Sequence, residues 1–358
     1  MSMNRTALYN QHIACNAKMV NFLRWLLPLH YGSQIKEHEA VRKKVGAFDI
    51  SHMAMIYIKG QNATPLLEKL LANDVKKLSP GRALYTCMLN EQGGIKDDMI
   101  VYQFDHDHYR LIVNAATTYS DLAWISQYAK AYHVIVSFIS MISMIAIQGP
   151  HSSQILKALQ LPYQIKPFNF IFQDSLLIAK TGYTGEEGFE IVIPDPHGEA
   201  LWKSLMELGV TPCGLGARDS LRLEAGFNLY GQDMNEETHP YESNLGWTVD
   251  LKDPERDFIG REQMIKIKEA GTSKKLVGFT LPSAGILRSG MKIYGANGSE
   301  LGIVTSGGYS PSLKTSIALA RIENTAESQY FVSIRNKRAL LNKHSIPFID
   351  KKNTVASV

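Results

Sequence analysis

Cysteine is scarce in this chain of 358 residues: there are three, Cys15, Cys87 and Cys213, far apart and odd in number. That argues against a disulfide scaffold or a cysteine-built zinc site, and for a reducing compartment. An excess of one charge is also lacking. Lys and Arg total 38 against 34 acids, leaving a net charge of +4, and no basic run or interleaved basic and aromatic tract occurs. Nucleic acid is therefore not expected as the main partner. No long apolar run is present either: Met19 to Tyr31, MVNFLRWLLPLHY, is too short to span a bilayer and is interrupted by Arg24 and Pro28. Neither an anchor, a signal peptide nor an Arg-rich presequence is expected, and the reading is a bacterial cytoplasmic protein. Phosphate-loop, serine-nucleophile elbow and zinc-protease signatures are missing, as are repeats and low-complexity segments.

What is present is an ordinary globular composition, 45% hydrophobic and 20% charged, with length for two or three domains. Periodicity predicts a helix in Ile35 to Gly46, a strand in MAMIYIKG, a helix from Thr64 to Asp74, and strands in ALYTCMLN, DDMIVYQF and YRLIVNAA. A helix over Thr117 to Tyr132 completes a first α+β block. A second α+β run holds SMIAIQGP, the glycine-spaced segment TGYTGEEGFEIVIP, a helix around ALWKSLMELG and another in GLGARDSLRLEAG. After about Lys274, short strands and Gly- or Asn-bearing turns predict a small β sandwich or barrel, with Leu251 to Gln263 as linker.

Several residues invite chemistry. Asp97 and Asp98 are adjacent at a strand start, so one must point to each face of the sheet, one to solvent and the other to a packed or concave side; a turn acid and a catalytic acid are both open readings. Glu190 stands in a strand fed by Gly182, Gly185 and Gly188, which signal a tight turn or a close approach. Arg218 and Arg222, four apart on one helix face, repel unless an anion joins them or Asp219 and Glu224 neutralise them locally. Tyr85 and Trp247 lie in apolar surroundings, where core packing is the ordinary reading. The DHDH tetrad at Asp105 to His108 reads as a turn, and the residues of the EHE triplet at Glu37 to Glu39 point in different directions on a helix, so neither reads as a metal site. GLGARD lacks the third glycine of a dinucleotide fingerprint.

Taken together, FDISHM, LLANDV, LNEQGGIKDDMIVY, IQGP, GYTGEEGFEI, GLGARDSLRLEAG, LYGQDM, LGWTVD, DFIGRE, TSGGYSP and SIALAR run in one order along the chain. In that order they resemble the aminomethyltransferase, or T-protein, family of the glycine cleavage system. The resemblance implies an α+β, three-domain cloverleaf around a central folate cavity, ending in a small C-terminal β-barrel or sandwich. The implied boundaries are 1–50 with 141–255 for a discontinuous first domain, 51–140 for a second, and 256–358 for the last. It further implies transfer of a one-carbon unit from aminomethylated, lipoylated H-protein to tetrahydrofolate as co-substrate, without a metal. Asp98 is the implied catalytic acid; Glu190, Arg218, Tyr85, Tyr183, Trp247 and Met53 are the implied folate contacts. In the resemblance, Glu190 grips the pteridine and the glycines let the backbone approach it. A folate-binding regulatory or repair protein of the same fold is the alternative. NFLRW, SHMAM and DMNE depart from the family pattern without touching Asp98, Glu190 or Arg218.

Overall fold

The computed structural model describes residues 3–335 and 337–349; the last residues of the expected C-terminal domain, 350–358, lie outside the described residues. The chain divides into two compact units, one of Met1–Leu70, Val75–Thr86 and Asp98–Asp219, the other of Leu71–Asp74, Cys87–Asp97 and Ser220–Val358.

The apolar run after Met19, assigned to no element from sequence, is a hairpin in the first unit. Strands Lys18–Phe22 and Trp25–His30 pair antiparallel, with Asn4–Arg5 added parallel to the second. Leu23 and Arg24 make the turn with φ of 50° and 69°, a left-handed pair usually given to Asn and Gly. Pro28 sits opposite Met19 at a register shift, where a missing N–H is tolerated.

A six-stranded sheet follows, in the order Phe170–Gln173, Leu176–Ala179, Gly188–Pro194, Ile142–Gln148, Gly46–Asp49, Thr211–Pro212. Its central strands are buried along most of their length. Helix Asp195–Glu207 lays Trp202 and Leu205 onto Ile145, Ile147, Phe189 and Ile191. Ser143 donates to Asp195 at 2.8 Å, and a Cβ at Gly198 would lie 2.4 Å from the Ser143 hydroxyl oxygen, so glycine sets how closely helix and sheet meet. Removing a side chain as buried as Trp202 would cost about 3–5 kcal/mol.

The five-stranded sheet runs Arg82–Leu89, Ile95–Asp105, His108–Val113, Ala54–Lys59, Ile135–Ile139. Helices Ala63–Leu70 and Thr118–Tyr132 bury Leu66, Leu67, Leu70, Ile125 and Ala129. Thr64 meets the Tyr109 hydroxyl at 2.6 Å and Gln103 donates to that hydroxyl at 3.1 Å, which fixes the helix-covered face. Odd residues Met99, Val101 and Gln103 therefore point toward the helices, and even residues Asp98, Ile100 and Tyr102 to the opposite face.

In the second unit, six strands close a barrel in the order Lys274–Leu281, Thr315–Glu323, Glu300–Ser310, Lys292–Tyr294, Tyr330–Ile334, Lys337–His344. Phe279, Leu287, Ile293, Ala318 and Tyr330 are among the side chains filling it, and closure leaves no bare sheet edge. The stretch Leu251 to Gln263 is no loose linker. Phe258 and Ile259 are buried, buried Arg256 donates to the carbonyls of Leu71, Ala72 and Asn73, and helix Arg261–Ala270 already begins within it.

Candidate active site

The hairpin that presents Asp98 is tied by its own turn. Asn90 Oδ1 accepts from the backbone N–H groups of Gln92 at 3.0 Å and Gly94 at 2.8 Å, and Gly93 takes φ +82°. Alternation then separates the two acids. Asp97 is fully buried and Asp98 half-buried on the opposite face, as a strand requires; neither stands free in solvent, which corrects the expectation of one solvent-facing acid. Both oxygens of Asp98 are engaged: the Tyr85 hydroxyl donates to Oδ2 at 2.8 Å, and Asn114 Nδ2 donates to Oδ1 at 2.9 Å and to the Asp98 carbonyl at 3.1 Å. Tyr85 is thus no mere core aromatic. Asn114 was not singled out from sequence, although its place just past the neighbouring strand puts it across from Asp98.

Glu190 is buried in strand Gly188–Pro194, opposite Ala146 on one side and Ala179 on the other. Small neighbours leave its carboxyl room, and Thr181 donates to Oε2 at 2.6 Å. Burial pushes the Glu190 carboxyl above the ordinary glutamate range, with the Thr181 hydrogen bond and the Arg218 charge pulling the other way. Two of the glycines before it make room for a side chain of the protein itself. A Cβ at Gly182 would lie 2.1 Å from Gln148 Oε1, and one at Gly188 2.3 Å from Gln148 Nε2. Gln148 fills that gap, donating to the Thr181 carbonyl at 3.2 Å and accepting from the Thr184 hydroxyl at 2.9 Å. Arg42 fastens the loop from outside, 2.8 Å from both the Thr184 carbonyl and Glu186.

Arg218 lies on helix Leu215–Glu224 with its guanidinium 4.5 Å from the centroid of Tyr183, a cation on a ring face. Arg222 goes elsewhere. It is 2% exposed and meets Asp233 at 2.8 Å, the Phe227 carbonyl at 3.1 Å and Ser306 at 2.9 Å in the second unit. Its buried counter-ion is Asp233, and the carboxylate of Glu224 accepts from Ser310 and Ser312.

Beside Met53, which is half-buried, stands His52, buried and with Nδ1 lacking a hydrogen-bond partner. Burial first, and then the Arg218 charge, pushes its pKa down to about 4 against the opposing pull of Asp49. Asp49 closes a buried chain: it meets His12 Nε2 at 2.8 Å and the Thr6 hydroxyl at 2.6 Å, while His12 Nδ1 meets the Tyr31 hydroxyl at 2.8 Å. Burial opposes the charge on Asp49, and the bonds from His12, Ser51 and Thr6 overturn that, holding the carboxyl below its usual range.

Of the residues expected from sequence, Asp98, Tyr85, Glu190, Arg218, Tyr183 and Met53 all belong to the first unit. Trp247 belongs to the second, on the short 3₁₀ turn Gly246–Thr248, and at 66% exposure it is not a packed core ring. Tyr102 joins the first set from the same face as Asp98. It is fully buried, Glu190 is the charge that most raises its hydroxyl pKa after burial itself, and sequence patterning did not distinguish it from any core tyrosine.

Residues 8–253 match the family described as GCVT N-terminal domain, and residues 274–350 match the glycine cleavage T-protein C-terminal barrel domain. The chain belongs to the glycine cleavage T-protein family. Among curated members, an aminomethyltransferase of Alcanivorax borkumensis is 48% identical over 358 residues, covering 98% of each chain. Among solved structures, the glycine cleavage system aminomethyltransferase T from Bartonella henselae superposes with a TM-score of 0.94 at 32% identity, over 97% of this chain and 98% of that one. The T-protein fold, mixed helix and strand followed by a closed six-stranded barrel, is thus common to both. Asp98, Glu190 and Arg218 lie within the N-terminal family match.

Proposed function

We propose that this T-protein family member is the tetrahydrofolate-dependent aminomethyltransferase of a glycine cleavage system. The observation that carries this is 48% identity to an aminomethyltransferase along practically the whole chain. The reaction takes the aminomethyl group held on a sulfur of the lipoyl arm of H-protein. Two new bonds to carbon form, from the folate ring nitrogen and from the neighbouring aniline nitrogen; the bonds from carbon to sulfur and to the amine break. The two folate N–H protons end on the sulfur and the departing amine, giving methylenetetrahydrofolate, ammonia and dihydrolipoyl H-protein.

In the proposal, Asp98 handles that proton traffic. Tyr85 and Asn114 fix both of its oxygens, so the carboxylate meets substrate in one orientation, the condition under which an acid–base group contributes about 10²–10⁴-fold. Glu190 holds the pteridine: a ring N–H beside an exocyclic amine offers two parallel donors that one carboxylate accepts. Hydrogen bonds to a charged acceptor in such a buried place contribute roughly 1.5–3 kcal/mol each. Arg218, whose charge favours ionised Glu190, holds that acid in register, and Met53, Tyr85 and Tyr183 supply apolar wall. For Trp247, ligand contact rests on the family resemblance alone. So does the division into 1–50 with 141–255, 51–140 and 256–358.

Lipoylated H-protein and tetrahydrofolate are the proposed partners, and bacterial cytoplasm the proposed location; no helix among the described residues is long and apolar enough to cross a membrane. Incubating the protein with tetrahydrofolate and aminomethylated H-protein should release ammonia in a folate-dependent manner. Folate binding without ammonia release would favour the regulatory alternative instead.

A further inference from the structure

The carboxyl of Glu190 has hydroxyl neighbours that the chemistry above leaves unused. Thr181 spends its proton on Oε2 at 2.6 Å, and its oxygen keeps lone pairs for a further donor. Tyr102 comes from the other sheet. Its ring meets Phe170 edge-on at a centroid separation of 5.4 Å, Phe170 is opposite Ala179, and Ala179 is opposite Glu190. Tyr102 is fully buried, yet its hydroxyl oxygen has no hydrogen-bond partner. Thr181 is near enough to favour the ionised phenol slightly, but the two hydroxyls fall short of bonding geometry. Native cores seldom strand a hydroxyl in this way, so its position calls for an explanation.

We propose that Thr181 and Tyr102 are positioning residues for Glu190: the threonine pins one carboxylate oxygen so that the other faces the pteridine, and the tyrosine closes onto the threonine oxygen when ligand fills the site. This rests on the reading of Glu190 as the pteridine-gripping acid. The chain Tyr102 to Thr181 to Glu190 runs donor to acceptor throughout, each bond polarising the next. The Arg218 charge acts on Glu190, and the Glu190 charge acts in turn on Tyr102. Loss of Thr181 removes a donor to the charged form and leaves burial less opposed, so the acid limb of ligand binding moves to higher pH.

The test is tetrahydrofolate binding by titration calorimetry on the full chain across about pH 5 to 8, above the ordinary glutamate range. Thr181→Val should weaken binding about tenfold with the acid limb displaced upward, Thr181→Ser should return to within about twofold of the parent, and Tyr102→Phe should cost about threefold. Parent affinity and an unmoved limb in Thr181→Val, or a serine variant as weak as the valine one, overturns the proposal. If the valine variant does not fold, Tyr102→Phe decides: parent affinity overturns it. Glu190→Gln separates the two readings. Undiminished affinity there removes Glu190 from ligand binding altogether, whereas weak Glu190→Gln beside parent-like Thr181→Val removes only the positioning.

Discussion

Asp98→Asn removes a charge while keeping the size and shape of the side chain, and the contacts with Tyr85 and Asn114 determine how the replacement sits. Asn114 Nδ2 can only donate, so the new carboxamide must turn its oxygen toward Asn114 and its NH₂ toward Tyr85. The Tyr85 hydroxyl then rotates from donor to acceptor, so one hydrogen bond changes sense and none of the heavy atoms moves far. The stability cost is about 1 kcal/mol, within the range of a single rearranged bond. Catalysis should suffer far more: losing a positioned acid–base group slows turnover about 10²–10⁴-fold, or roughly 3–5 kcal/mol of barrier. The assay is ammonia release from aminomethylated H-protein at saturating tetrahydrofolate, run alongside thermal melting and folate titration. Turnover within about threefold of the parent would refute the proton-handling role. So would a collapse in melting temperature together with lost folate binding, which would make Asp98 a structural residue.

Three further outcomes can be checked by stability measurements. Gly188→Ala drives a Cβ to 2.3 Å from Gln148 Nε2 and 2.6 Å from the Ile147 carbonyl; urea unfolding should show a loss of about 1–3 kcal/mol, and no measurable loss would mean that the loop yields freely. Arg222→Met leaves the carboxylate of Asp233, 2.8 Å from the guanidinium in the native protein, buried without its counter-ion; about 3–5 kcal/mol should be lost, and a loss below about 1 kcal/mol would contradict the pairing. For His52 the folded pKa near 4 lies below the ordinary 6.5, so between these values the unfolded chain takes up a proton that the native protein refuses. Stability should fall as pH drops through that window, by up to about 1.4 kcal/mol per pH unit; urea midpoints that are flat there, or equally steep in His52→Gln, would exclude His52 as the cause.

Most elements were legible because each buries one regular stripe: the Asp98 strand alternates, the Thr118–Tyr132 helix repeats near every third or fourth residue, and the barrel strands are punctuated by turn residues. The Lys18–His30 hairpin was not, since its apolar residues run together and its turn is built from Leu23 and Arg24 instead of Gly or Asn. Of the candidate site, Asp98, Glu190 and Arg218 could be singled out because they stand inside distinctive motifs. Their supports could not. Asn114, Thr181 and Gln148 act through partners 16, 9 and 33 residues distant, pairings that arise only when strands are laid side by side. The purpose of Gly182 and Gly188 was hidden for the same reason, because the side chain they accommodate belongs to a strand more than thirty residues earlier.

The adjacency of Asp97 and Asp98 has an implication for how this strand tolerates length changes. Which acid reaches Tyr85 and Asn114 is decided by odd or even position alone. Deleting one residue between the Asn90 turn and the pair would exchange them, leaving an acid still present on that face but displaced from Tyr85 and Asn114, and sending the other acid to the opposite face. Insertions and deletions ahead of Asp98 would therefore be accepted in pairs and refused singly, a parity rule that a library of hairpin-length variants would display as alternating survival.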